Sequence, residues 1–112
     1  MQGRRRPDLR ESDLPDDIQA GDYWKLLDDE SGEPIVIVGA ASNLTSTSWR
    51  VVAPMPSGGF AIGTLRFHTV REEDDGTISV RPGDGSSNSI LIGGSHGQQW
   101  HGYIEHGVWT GA

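Results

Sequence analysis

Cysteine is absent from this chain of 112 residues, and that absence excludes several kinds of chemistry. Without a thiol the protein forms no disulfide, has no cysteine nucleophile and cannot bind zinc through cysteine. A cysteine-free composition fits a reducing compartment, so we expect a cytoplasmic location. Lysine is almost absent as well, because Lys25 is its single representative and the other basic residues are arginines.

Long apolar runs are also missing. The chain has no stretch of about 18 apolar residues, the length that a membrane-spanning helix needs, and Arg4–Arg6 is followed by Pro7 in place of an apolar signal segment. We therefore expect no membrane association and no secretory signal. The formal net charge of −7 repels phosphate groups, which makes binding to nucleic acid or anionic membranes unfavourable.

The sequence also lacks apolar residues at helical spacing over any long stretch, and this favours β structure. With 16 Gly and 6 Pro, turns are frequent and long helices are disfavoured. The sequence predicts an all-β fold: one small domain over residues 18–112, with seven to eight short, mostly antiparallel strands arranged as a sandwich, barrel or roll. The β-branched run Ile35–Val38 predicts a buried strand.

Two hairpins can be placed from local sequence. At the C-terminus, aromatic-rich runs flank Glu105-His106-Gly107, a pattern typical of a β-hairpin. Upstream, a three-residue loop at Asp74–Gly76 sets Val70 opposite Val80, which keeps apolar side chains on one face. A two-residue loop would instead set Val70 opposite an arginine, so we favour the three-residue loop with Gly76 in a left-handed conformation.

Residues 1–17 differ in composition from the rest. They hold four arginines and five acidic residues with few apolar side chains, so the segment alone cannot offset the entropy of its ordering. We expect a flexible N-terminal arm. Arg4, Arg5 and Arg6 are candidate contacts to an acidic protein partner or, as a less favoured alternative, to a nucleic acid.

Histidines provide the one candidate for metal chemistry. His96, His101 and His106 follow one another at five-residue spacing. Three imidazoles can hold a divalent transition metal and leave one coordination position open, the arrangement that a hydrolytic metal site uses. Residues five apart on a strand point to opposite faces, so only the fold can bring the three together. The alternative is that they are exposed or singly hydrogen-bonded, with no cofactor.

Aromatic side chains are concentrated at the same end of the chain. Most of them are expected in the core. An exposed Trp or Tyr would anchor a protein interface, which makes Trp100, Tyr103 and Trp109 the candidate interaction residues.

The C-terminal two thirds of the chain resembles a family of short uncharacterised proteins. The resemblance spans roughly residues 21–110 and is most specific at Trp100-His101-Gly102-Tyr103-Ile104, followed by Gly107-Val108-Trp109. These proteins are encoded by actinobacteria such as streptomycetes and by their phages. A broader domain-of-unknown-function group is also similar, and some of its members carry cysteine-rich segments that this chain lacks. The resemblance implies an origin and no activity.

These observations together favour a non-enzymatic β protein that acts through protein–protein contacts, with a protein partner or as a homo-oligomer. The resemblance adds the setting of an accessory or structural protein of an actinophage or its host, cytoplasmic or associated with the virion. The alternatives are a histidine-based metal site and a nucleic-acid binder that uses Arg4–Arg6.

Overall fold

A computed structural model describes residues 1–38, 45–65, 68–81 and 88–112. Apart from one 3₁₀ turn at Ser95–Gly97, its regular structure is entirely β, which confirms the predicted fold class. The strands are β1 (Arg4–Arg5), β2 (Leu9–Arg10), β3 (Asp22–Leu27), β4 (Val36–Val38), β5 (Thr45–Thr47), β6 (Trp49–Pro54), β7 (Phe60–Leu65), β8 (Thr69–Glu72), β9 (Ile78–Arg81), β10 (Ile90–Gly93), β11 (Gln99–Glu105) and β12 (Val108–Gly111). No helix in these ranges is long and apolar enough to cross a membrane.

The strands form one central sheet, one smaller sheet and two separate pairs. The central sheet has the order β1-β3-β6-β7, and β2 also pairs with β3. The smaller sheet has the order β10-β11-β12, while β4 pairs with β5 and β8 with β9. All pairs are antiparallel except β1–β3 and β2–β3, which agrees with the predicted, mostly antiparallel arrangement.

The main hydrophobic core lies on one face of the central sheet. Alternation along β3 and β6 sends Tyr23, Trp49 and Val51 to that face, where they meet inward side chains of β9 to β12. The buried members of this core are Tyr23, Trp49, Val51, Ala53, Met55, Leu65, Ile78, Val80, Ile90, Ile92, Ile104 and Trp109.

The opposite face of the central sheet is buried as well, but only in part. Trp24, Leu26 and Val52 are fully buried there, and Leu9, Ile18 and Ile35 pack over them. The covering residues precede β6 in the chain, and they do not cover the end of this face formed by β7. The expected burial of the Ile35–Val38 run is wrong for Val36, which is 63% exposed, because the short β4 pairs with β5 and its Val36 faces solvent.

Both predicted hairpins have the expected form. Val70 pairs with Val80, and Gly76 has φ +85°, which confirms the three-residue loop. In the C-terminal hairpin, Glu105 pairs with Val108 and the two turn residues, His106 and Gly107, have φ +47° and +74°. Two successive positive φ values are typical of a type I′ turn, whose twist matches that of the flanking strands.

The N-terminal segment, which is expected to be flexible in isolation, makes backbone hydrogen bonds to the rest of the chain between Gly3 and Glu11. Gly3 N–H donates to the Gly107 carbonyl at 2.8 Å, β1 pairs with the start of β3, and β2 pairs with its end. The segment therefore joins the smaller sheet to the central sheet. Its sequence alone could not show this, because parallel pairing with a distant strand leaves no local turn signal.

Candidate functional site

The arginines of the N-terminal segment are engaged by the chain itself. Arg4 donates from Nε and Nη2 to the two carboxylate oxygens of Asp22, at 2.8 and 2.9 Å, and Arg6 donates from Nη1 at 3.0 Å. Asp22 is fully buried. Burial raises the pKa of this carboxyl, but hydrogen bonds from Arg4, from the Gln19 amide and from Arg6 outweigh it and leave the pKa lowered. This cluster fixes the position of the segment.

Arg5 lies over the ring of Trp49. Its guanidinium carbon is 4.6 Å from the ring centroid, and its Nη1 donates to the Gly76 carbonyl at 2.9 Å. Lys25 also approaches this ring, at 5.5 Å, and Glu72 accepts from both cations, at 3.2 Å from Arg5 and 2.8 Å from Lys25. The three arginines proposed from sequence as partner contacts thus have intramolecular roles.

The three histidines are not brought together. His96 lies in the 3₁₀ turn with φ +59°, His101 is on the outer face of β11, and His106 is at the tip of the C-terminal hairpin. Within the described ranges no three His, Asp or Glu side chains are grouped as a metal ion would require. His106 instead lies near Glu73, with Nδ1 3.7 Å from a carboxylate oxygen.

The candidate aromatic anchors divide between the core and the surface. Trp109 is 3% exposed, and its ring centroid lies 5.0 Å from that of the half-buried Trp100. Tyr103 points to the opposite face of β11, and 37% of its surface is exposed. Of the three side chains, Tyr103 has the largest exposed fraction.

A cleft of about 350 Å³ lies between β7 and β10, and sequence reasoning missed it. Gly63 and Ile92 form its floor, since a Cβ on Gly63 would come within 3.0 Å of the Ile92 side chain. The rim is apolar and open, because Ile62 and Leu91 are 39% and 62% exposed. The missing side chain at Gly63 is what lets the two strands approach each other.

His68 closes one end of this cleft. Its Nε2 lies 2.6 Å from the Ser89 carbonyl oxygen. A carbonyl only accepts, so Nε2 carries the proton in this contact. The bond holds the beginning of β10 beside the end of β7. The residues that line the cleft are Ile62, Gly63, Thr64, Leu65, His68, Ile90, Leu91, Ile92 and Gly93, and none of them carries a carboxylate, an ammonium or a guanidinium group.

Both walls of the cleft are edges of sheets. Among the described residues, β7 hydrogen-bonds only β6, and β10 hydrogen-bonds only β11. An apolar cleft between two open strand edges can bind an extended peptide through side-chain pockets and backbone groups. The signal in the sequence was the uncharged run Phe60–Leu65, interrupted by Gly63, but only the fold shows that β10 lies beside it.

Comparison with known proteins adds no relative. No protein-family model, no curated protein and no solved structure matches the chain.

Proposed function

We propose that this protein is a non-enzymatic binding module that recognises another protein through the cleft between β7 and β10. The observation that carries the proposal is the cleft itself, with exposed Ile62 and Leu91 on its rim. Exposed apolar side chains that surround a concave surface are typical of interaction sites. The resemblance of the sequence suggests the setting, an accessory or structural protein of an actinophage or its host, cytoplasmic or associated with the virion.

The distribution of exposed apolar side chains supports this choice of surface. Among the described residues, five of the eight exposed large hydrophobic side chains lie on β7 and on the sheet formed by β10 to β12. Those five are Phe60, Ile62, Leu91, Tyr103 and Val108. Leu91 belongs both to the cleft and to the outer face that carries Tyr103, so a partner that fills the cleft can extend over that face.

A photo-crosslinking experiment tests the proposal. A benzophenone amino acid is placed at position 91 and, as the matched control, at position 36, where Val36 is equally exposed but belongs to the separate β4–β5 pair and does not line the cleft. A partner captured in the organism that encodes the chain is then purified, and its affinity is measured for the wild type, Ile62→Asp, Leu91→Asp and Val36→Asp.

We expect crosslinks from position 91 only, and affinities at least tenfold weaker for Ile62→Asp and Leu91→Asp with no comparable loss for Val36→Asp. Each variant is checked for an unchanged unfolding transition, since both cleft positions are at the surface. Equal crosslinking from the two positions, no crosslink from position 91, or equal affinity for all variants would each overturn the proposal.

A further inference from the structure

We propose that the occupant of the cleft is an extended, uncharged protein segment that adds to the edge of β7 as a further strand, with basic residues on its flanks. This inference rests on the proposed function and specifies how the partner is bound. It is carried by the direction of the backbone groups, by the chemistry of β7 and by the distribution of charge.

The hydrogen-bond pattern shows which backbone groups of β7 point away from β6, at the open edge of the strand. Gly21 N–H donates to the Val52 carbonyl at 2.8 Å, so Val52 directs its backbone groups to β3. In an antiparallel ladder both groups of a residue point to the same neighbour, and successive residues alternate. Val52 pairs with Ile62, and therefore the N–H and C=O of Ile62 point away from β6, as do those of Thr64 two residues later.

β10, on the other side of the cleft, also has backbone groups that point away from its paired strand. Ala112 N–H donates to the His101 carbonyl at 2.9 Å, so His101 directs its backbone groups away from β10. Leu91 pairs with His101, and its own backbone groups consequently point away from β11. No described residue bonds the outward groups of Ile62 and Thr64, so the edge of β7 offers a donor and an acceptor at alternate residues, as pairing with an extended chain requires.

The sequence of β7 has none of the features that protect an edge strand from pairing. Natural edges are usually blocked by charged residues, proline or a bulge. β7 is Phe-Ala-Ile-Gly-Thr-Leu, and it pairs with β6 at all six positions without a bulge. Phe60 and Ile62 add exposed apolar side chains on one face, which would contact alternate residues of an added strand.

Charge determines the kind of segment that fits. The lining of the cleft is free of carboxylates and of permanently charged side chains, so a charged residue within it would lose hydration without gaining a partner. The whole chain has a formal net charge of −7, which attracts cationic groups at longer range. An apolar segment flanked by Lys or Arg satisfies both conditions.

The test uses a display library of random 12-residue peptides, selected on the intact protein. A representative selected peptide is then titrated against the wild type, Thr64→Pro and Thr64→Ala. Proline at position 64 removes only an N–H that points away from β6, and proline is tolerated on edge strands in that orientation. Alanine removes the same side chain but keeps the N–H, which makes it the matched control.

We expect selected peptides with alternating apolar residues and basic flanks, about tenfold weaker binding to Thr64→Pro, as loss of one hydrogen bond implies, and nearly unchanged binding to Thr64→Ala. Amide hydrogen exchange tests strand addition without the proline variant. In the wild type, bound peptide should slow the exchange of the Ile62 and Thr64 backbone amides. Unprotected amides, or equal affinity for the two variants, would overturn strand addition.

The two proposals fail in different ways. If Ile62→Asp abolishes peptide binding while the amides of Ile62 and Thr64 stay unprotected, the cleft is a binding site but strand addition is wrong. If selected peptides bind Ile62→Asp as well as they bind the wild type, the cleft is not the site and both proposals are wrong.

Discussion

The two ends of this chain are held in place by different forces, although they lie side by side. The N-terminal segment is held by backbone pairing with β3 and by arginines on the buried carboxylate of Asp22. The C-terminal hairpin is held by apolar packing, with Ile104 and Trp109 both buried and directly opposite each other. The ends meet where Trp109 N–H donates to the Met1 carbonyl at 2.8 Å.

The comparison of the two ends separates contacts that mainly stabilise the fold from contacts that mainly fix where a segment lies. A buried aromatic side chain removes a large apolar area from water, and the stabilising free energy depends mainly on that area and little on which apolar residues surround it. An ion pair contributes less net free energy but depends strongly on geometry. The N-terminal segment lies alongside β3 in parallel, and no tight turn between them sets how its residues pair with those of β3. The contacts of Arg4 and Arg6 with Asp22 fix that pairing.

The largest effect is expected at the C-terminal end. Trp109→Ala removes a side chain that is 3% exposed and leaves a cavity beside Trp100, so we expect the free energy of unfolding to fall by about 4 kcal/mol. Urea denaturation measures it. The control is Thr110→Ala at the next, exposed position, which should change the stability by less than about 0.5 kcal/mol. Similar losses for the two variants would mean that the hairpin is not held by its inward face.

A smaller loss is expected at the N-terminal end. Asp22→Asn removes the charge that Arg4 and Arg6 share, and we expect a loss of about 2 kcal/mol in urea denaturation, typical of hydrogen bonds to a charged group. The control is Asp17→Asn, which removes a carboxylate that also contacts Arg6, at 2.6 Å, but is 69% exposed. It should leave the urea midpoint nearly unchanged. If both variants behave alike, Asp22 does not anchor the segment.

We also expect the stability difference between the wild type and Asp22→Asn to depend on pH. The folded-state pKa of Asp22 is lowered, so its stabilising contribution is complete above the unfolded-state pKa of about 3.9 and is lost as the pH falls through the folded-state value. The stability difference between wild type and Asp22→Asn should therefore narrow below about pH 4. Urea midpoints between pH 7 and pH 3 measure it, and a constant difference would contradict the assignment of the anchor to this carboxylate.

The smallest change in stability is expected at Arg5, whose guanidinium group contacts both an aromatic ring and a backbone carbonyl. Arg5 stacks on Trp49 and bonds the Gly76 carbonyl, so Arg5→Ala should cost about 1 kcal/mol, measured by urea denaturation. The control is Arg71→Ala, since the Arg71 side chain is 67% exposed and, among the described residues, forms a single ion pair, with Glu73 at 3.1 Å. That variant should change stability by no more than about 0.5 kcal/mol. Equal losses would show that the contact of Arg5 with the Trp49 ring adds nothing beyond what one ion pair of an exposed arginine contributes.

Local sequence was sufficient for the hairpins and not for the site. The register at Asp74–Gly76 and the turn at His106-Gly107 follow from residues that are close in the chain, where turn chemistry and alternation agree. The histidine hypothesis depended on contacts across the fold, and the structure places those side chains apart. The uncharged run Phe60–Leu65 has a composition that favours a strand, but nothing local shows which of its edges stays unpaired.

Sequence by itself determined the fold class, the register of the hairpin at Asp74–Gly76 and the position of the C-terminal turn, because glycine, proline and alternating apolar residues act over a few positions. Tertiary structure decided the parallel pairing of β1 and β2 with β3, the exposure of Val36 and the cleft between β7 and β10. Each of these joins segments with no short turn between them. Their placement therefore depends on the packing of the whole domain, in which many distant contacts compete and only the complete set selects one arrangement.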